Sequence, residues 1–173
     1  MAYKNQKFTV KQNGKDLDKS LYSWDDEIFF TKENDLELDF TGYIGMEFRT
    51  GSNCKFKTGA DCHFVTGSNC SFVTGPYCIF QTSFACNFET EFNCTFLIGS
   101  HCYFKTGSNC LFRFTSNTDS CTFLTGKNSY AYFKGTEFII PVLKRCTYNT
   151  IEGFKIVDVE TIESIIRQKY KCY

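Results

Sequence analysis

From residue 50 to residue 113 one pattern of apolar and polar positions recurs every eight residues. Written from Thr50, the rows are TGSNCKFK, TGADCHFV, TGSNCSFV, TGPYCIFQ, TSFACNFE, TEFNCTFL, IGSHCYFK and TGSNCLFR. Cysteine holds the fifth place in every row: Cys54, Cys62, Cys70, Cys78, Cys86, Cys94, Cys102 and Cys110. Phenylalanine holds the seventh: Phe56, Phe64, Phe72, Phe80, Phe88, Phe96, Phe104 and Phe112. Places two apart lie on the same side of an extended strand, so each row predicts a short strand with one dry face. The Thr-Gly-Ser/Ala/Pro-Asn/Asp tetrad between strands is turn chemistry, with glycine able to take positive φ and Asn or Asp able to bond its own backbone. A strand this short cannot stand alone. A chain that turns the same corner every eight residues can wind into a solenoid, each coil pairing with the one before and like side chains stacking into ladders.

The register extends backwards through Met46 with Phe48 and Leu38 with Phe40, and forwards, past a three-residue insertion, to Cys121 and Phe123. Degenerate end rows are what capping repeats look like. The predicted organisation is a β N-terminal cap over 1–37, an octapeptide β-solenoid over 38–135, and C-terminal strands with an amphipathic helix over 136–173. In the first segment, strands are expected at Lys7 to Val10, Leu21 to Trp24 and Glu27 to Phe30, with a turn at Asn13-Gly14. In the last, a strand from Phe138 to Leu143 precedes a hairpin about Gly153, and a short helix starts near Glu160. Ile162, Ile165, Ile166 and Tyr170 share one face of that helix. It serves either as a lid on the open solenoid end or as a docking peptide.

Two rows per coil separate the outward residues into two unlike faces. One carries Lys55, Lys57, Ser71, Val73, Asn87, Glu89, Tyr103 and Lys105; the other carries His63, Val65, Ile79, Gln81, Thr95, Leu97, Leu111 and Arg113. Three rows per coil mix these without contrast, so the expected fold is all-β, a two-sided β-solenoid of about 16 residues per coil. The half-aliphatic face is unusual for a monomer's surface. Val65, Ile79, Leu97 and Leu111 are therefore candidate contact residues, joined at the corners by Tyr77, Phe84 and Phe92. Phe84 and Phe92 replace small turn residues where glycine also gives way to Ser83 and Glu91. These two rings either mark a contact edge or pack on the flanking segments.

Composition narrows the function. The 173 residues hold nineteen basic and nineteen acidic side chains, so no net field draws the chain to nucleic acid or to an anionic membrane. No apolar run approaches the length of a membrane span, and the first residues do not read as a signal peptide. The eleven cysteines are then expected as thiols of a reducing compartment. Cysteine is small and readily buried, which suits a thin core opposite a large ring. Parallel Cβ vectors are poor disulfide geometry. Spacing of eight without Cys-x-x-Cys, beside two histidines, lacks the clustering zinc requires, so neither metal nor cofactor is expected. His63 and His101 have no acid or nucleophile at motif spacing, Asp25, Asp26 and Glu27 read as a solvated turn, and no enzyme is expected.

The stretch KFTVKQNGKDLDKSLYSWDDEIFF resembles a short segment that recurs in bacteriophage tail-fibre and other virion proteins. Followed by tandem TGxxCxF rows, it looks like a group of phage-encoded octapeptide-repeat proteins, and the resemblance spans about three quarters of the chain. It implies a virion structural or accessory protein (a decoration, fibre or tail component), made in the host cytoplasm and not secreted by a signal peptide. The partners implied are other virion proteins or further copies of itself. It supplies no catalytic residue. A binding module for host-surface glycan or protein, using Tyr43, Tyr77, Phe84, Phe92 and Tyr103, is the alternative. Ice binding is a third, prompted by periodic threonines from Thr50 to Thr106.

Overall fold

The computed structural model describes residues 7–114, 120–133, 136–141, 145–149 and 153–157. Apart from one 3-10 turn at Lys19–Leu21, every regular element among these is a strand. Strands are numbered in chain order and fall into two sheets. Sheet A contains β1 (Thr9–Gln12), β2 (Lys15–Asp16), β5 (Leu36–Phe40), β7 (Lys55–Thr58), β9 (Ser71–Thr74), β11 (Asn87–Thr90), β13 (Tyr103–Thr106), β15 (Cys121–Leu124), β18 (Arg145–Asn149) and β19 (Gly153–Val157). Sheet B contains β3 (Tyr22–Trp24), β4 (Ile28–Thr31), β6 (Glu47–Arg49), β8 (His63–Val65), β10 (Ile79–Gln81), β12 (Thr95–Ile98), β14 (Leu111–Phe114), β16 (Ser129–Phe133) and β17 (Thr136–Ile140).

From β4 to β16 the chain alternates between the sheets, and each strand pairs in parallel with the strand one coil on. Phe56 lies beside Phe72, and Phe64 beside Phe80, so the coil is sixteen residues and the fold is a two-sided β-solenoid. Inside, the Phe72 and Phe88 rings stack at 5.0 Å and the Phe80 and Phe96 rings at 4.9 Å. Rings from opposite sheets meet edge to face, Phe80 and Phe88 at 5.2 Å. Both geometries suit the ring quadrupole. Parallel stacking of identical strands thus converts a repeated Phe into one continuous aromatic core.

Antiparallel strands close both ends. At the start, β1 pairs with β5 and β3 with β4, and Phe8, Trp24, Phe40 and Tyr43 fill the mouth, with Phe8 stacked on Phe40 at 4.6 Å. At the other end, β17 folds back on β16 and the β18–β19 hairpin covers β15. Phe114 stacks on Tyr148 there, at 5.1 Å. Such closure pairs the outermost parallel strands β4, β5, β15 and β16, whose edges would otherwise template further chains. The helix expected from Glu160 lies outside the described residues.

Two expectations about local structure are corrected. The row assigned to Leu38 and Phe40 sits two residues out of register. Leu38 pairs with Phe56 and Phe40 with Thr58, so Leu36 takes the cysteine place, and the corner at residues 41–45 absorbs the extra length. A slip of two preserves strand parity, which is why Leu36, Leu38 and Phe40 are all buried regardless. The second correction concerns the turns. Positive φ belongs to the fourth corner place, at Asn53, Asp61, Asn69, Tyr77, Ala85, Asn93, His101 and Asn109, and not to the glycines of the repeat. Those glycines are required by close approach: a Cβ on Gly99 would lie 2.3 Å from the Ser83 carbonyl oxygen one coil earlier, and one on Gly59 would lie 2.3 Å from the Tyr43 oxygen.

Candidate interaction faces

The outward residues of sheet A form a charged surface. Lys55 pairs with Glu37 at 3.2 Å, Lys57 with Asp39 at 4.0 Å and Lys105 with Glu89 at 2.6 Å, each bond spanning neighbouring coils. A shallow depression of about 400 Å³ runs among Glu37, Asp39, Lys55 and Lys57. The exposed aliphatic residue here is Val73, set between Lys57 and Glu89 in the same column.

Sheet B presents the opposite chemistry. Its first outward column reads Glu47, His63, Ile79, Thr95, Leu111, and its second reads Arg49, Val65, Gln81, Leu97, Arg113. Ile79 and Leu97 are 50% and 40% exposed, while Val65 and Leu111 are half-buried among their neighbours. The sequence reading missed the apolar ends of this face. Phe30 on β4, Tyr132 on β16 and Ile139 on β17 are all exposed on its outer side or rim. They fall outside the octapeptide rows, and the alternation of Phe29 inward with Phe30 outward was the available signal.

The corner rings are not one group. The corners leading from sheet A to sheet B carry Tyr77 and Phe92, which meet edge to face at 5.5 Å, whereas Phe84 stands on the opposite edge. Tyr77 and Phe92 lead into β10 and β12 on the side of the first outward column, where Ile79 and Thr95 lie. Tyr77 also occupies the left-handed place, at φ 61°. Asparagine, used at five of the corners, tolerates that conformation better than tyrosine. The fold alone does not call for this ring. Beside Phe92 a shallow groove of about 520 Å³ is lined by Glu91, Lys105, Ser108 and Asn109.

The buried ladders have a physical role. The ten cysteines among the described residues are buried, and nine of them, Cys54 to Cys110 and Cys121, form the two ladders. Their thiols point at the carbonyls that line the corners: Cys70 Sγ donates to Ser68 O at 3.5 Å and to Gly51 O, one coil back, at 3.8 Å. Cys86 repeats this with Phe84 O and Gly67 O. A weak, soft donor between turn carbonyls and a ring explains cysteine over alanine or leucine. The neighbouring Cys121 thiol, together with burial, pushes Cys102 up to about 12, and Cys102 in turn pushes Cys86 up to about 11. Cys86 and Cys102 therefore stay protonated at neutral pH and are poor nucleophiles.

The remaining candidates also take structural places. His63 is half-buried on sheet B, and His101 fills a left-handed corner. The Asp25 carboxylate accepts bonds from the N–H groups of Ile28 and Glu27, which hold it below the usual carboxylate range. Among the described residues no group of three or more His, Cys, Asp or Glu side chains is placed to hold a metal ion. Thr58, Thr74 and Thr90, whose recurrence prompted the ice-binding reading, point inward and bond the next residue's carbonyl at 3.3–3.4 Å. Thr66 and Thr82 are buried with their hydroxyls unpaired, in the place that Ile98 fills in the coil after Thr82. No protein-family model, curated protein or solved structure matches the chain.

Proposed function

We propose that this chain is a non-catalytic structural or accessory component of a bacteriophage virion, a rigid β-solenoid that binds other proteins through the outer face of sheet B. The observation that carries the reading is the contrast between the faces. Sheet A pairs Lys55, Lys57 and Lys105 with acids of the neighbouring coil, while sheet B leaves Ile79, Leu97 and Phe30 exposed on a stack of strands. Exposed aliphatic residues contiguous over several coils are what contact surfaces carry. The resemblance of the N-terminal segment and of the TGxxCxF rows to phage-encoded proteins supports the virion setting. The test is mass spectrometry of purified particles from cells expressing the wild-type chain or an Ile79→Lys/Leu97→Lys variant. Incorporation of the wild type and loss of the variant, with its fold retained, is the expected result. A wild-type chain absent from particles overturns the reading.

A second reading, display of a binding site for host-surface glycan or protein, is favoured by one observation. Tyr77 and Phe92 form an exposed aromatic pair, and Tyr77 is kept at a corner where asparagine serves the backbone better. Tyr77→Asn separates the two demands. On this reading it abolishes glycan-array signal while the protein melts no lower than wild type, and unchanged signal removes the pair from consideration.

A further inference from the structure

Resting on the reading of sheet B as a protein-contact face, we propose that its partner is a second copy of this chain, packed face to face about a two-fold axis parallel to the solenoid's length. Symmetric pairs are the commonest assembly of like chains, and they require a patch complementary to itself. The registers of sheet B allow that requirement to be checked. A two-fold axis along the solenoid reverses the strands but keeps each coil opposite its own copy, so the first outward column of one chain faces the second column of the other. Glu47 then faces Arg49, His63 faces Val65, Ile79 faces the stem of Gln81, Thr95 faces Leu97, and Leu111 faces the aliphatic stem of Arg113. Glu47, the one acidic residue of the two columns, meets a basic one, and no like charges are opposed.

The other two-fold arrangement has its axis along the strands and reverses the order of coils. Centred on β10, the middle strand of sheet B, it sets each column against itself, and Arg49 then faces Arg113. Like charges brought together on the only basic residues of the two columns oppose that arrangement. Sheet A is a poorer candidate in either arrangement, because Lys55, Lys57 and Lys105 already pair with acids of the next coil along the stack.

The two arrangements predict opposite signs for one substitution. Arg49 is exposed, and its charge partner within the chain is Glu47 on the same strand. In the parallel arrangement Arg49→Glu opposes Glu47 of the second copy and weakens dimerisation roughly tenfold, and Glu47→Arg added to it restores association. In the antiparallel arrangement the same Arg49→Glu faces Arg113 and tightens the dimer. Light scattering on a sizing column over a hundredfold concentration range, with circular dichroism to confirm the fold, reads all of these. Weakening followed by rescue is the expected result. Tightening overturns the proposed axis. A wild-type chain that stays monomeric throughout overturns the dimer, yet leaves attachment to a different virion protein, and so the proposed function, standing.

Discussion

Sheets A and B are built on the same interior and end in different exteriors. Along sheet A the rings of Phe56, Phe72, Phe88, Phe104 and Phe123 stack at 4.8–5.0 Å. Along sheet B those of Phe48, Phe64, Phe80, Phe96 and Phe112 stack at 4.8–5.1 Å. Each sheet has its own thiol column turned to the corner carbonyls. Outside, one sheet is laced with ion pairs and the other shows aliphatic and aromatic residues. Strand parity assigns alternate residues to the core and to solvent, so the repeat constrains half of them and releases the other half. Whatever distinguishes the two exteriors is therefore not required by the fold, and reports on what each face meets.

The largest effects should come from the shared interior, and should be equal on the two sides. Phe72→Ala and Phe80→Ala each remove one ring from the middle of a ladder, and each is expected to cost about 3–5 kcal/mol by urea denaturation. A clear difference between them breaks the comparison, because it means that the sheets do not share one core.

An intermediate effect is expected at the edges, where coils touch backbone to backbone. Gly99 lies on the edge leading from sheet B to sheet A, and an added Cβ would meet the Ser83 oxygen at 2.3 Å; at Gly107 on the other edge the nearest approach is 2.9 Å. Gly99→Ala is expected to destabilise by about 1–3 kcal/mol, and Gly107→Ala by less. Urea midpoints in the reverse order would show that the approach to the Ser83 oxygen does not set the cost at these corners.

Much of this architecture was legible because strand periodicity is strict and the repeat sampled it many times. Eight Cys–Phe pairs with constant parity establish which side is dry, and sorting alternate rows exposed the contrast between the faces. What escaped was set by contacts between coils, to which a single row is blind. Turn chemistry alone assigns positive φ to the glycine of each corner, whereas its neighbour two places on carries that conformation and glycine clears room for the coil before it. Extending the rows backwards puts Leu38 two residues out of register, since strand parity cannot detect an even slip. Phe84 and Phe92 looked like a pair in sequence, but one coil has two corners and eight residues separate opposite edges. Tyr77, fifteen residues before Phe92, is the ring that meets it.

The smallest effect on folding belongs to the exteriors, and it separates them by a different measurement. Lys105 and Glu89 are both exposed, and a surface pair in water contributes little to stability. Leu97 is partly solvated, so Leu97→Gln gives up little burial within its own chain. Neither Lys105→Ala nor Leu97→Gln is expected to move the urea midpoint of dilute protein appreciably. If sheet B binds a second copy, the wild-type midpoint rises with protein concentration, because dimerisation stabilises only the folded chain. Leu97→Gln should flatten that dependence and Lys105→Ala should leave it intact. Flattening by Lys105→Ala instead would assign the contact to the charged face, because ion pairs closed within one chain would then be the groups that a neighbour disturbs.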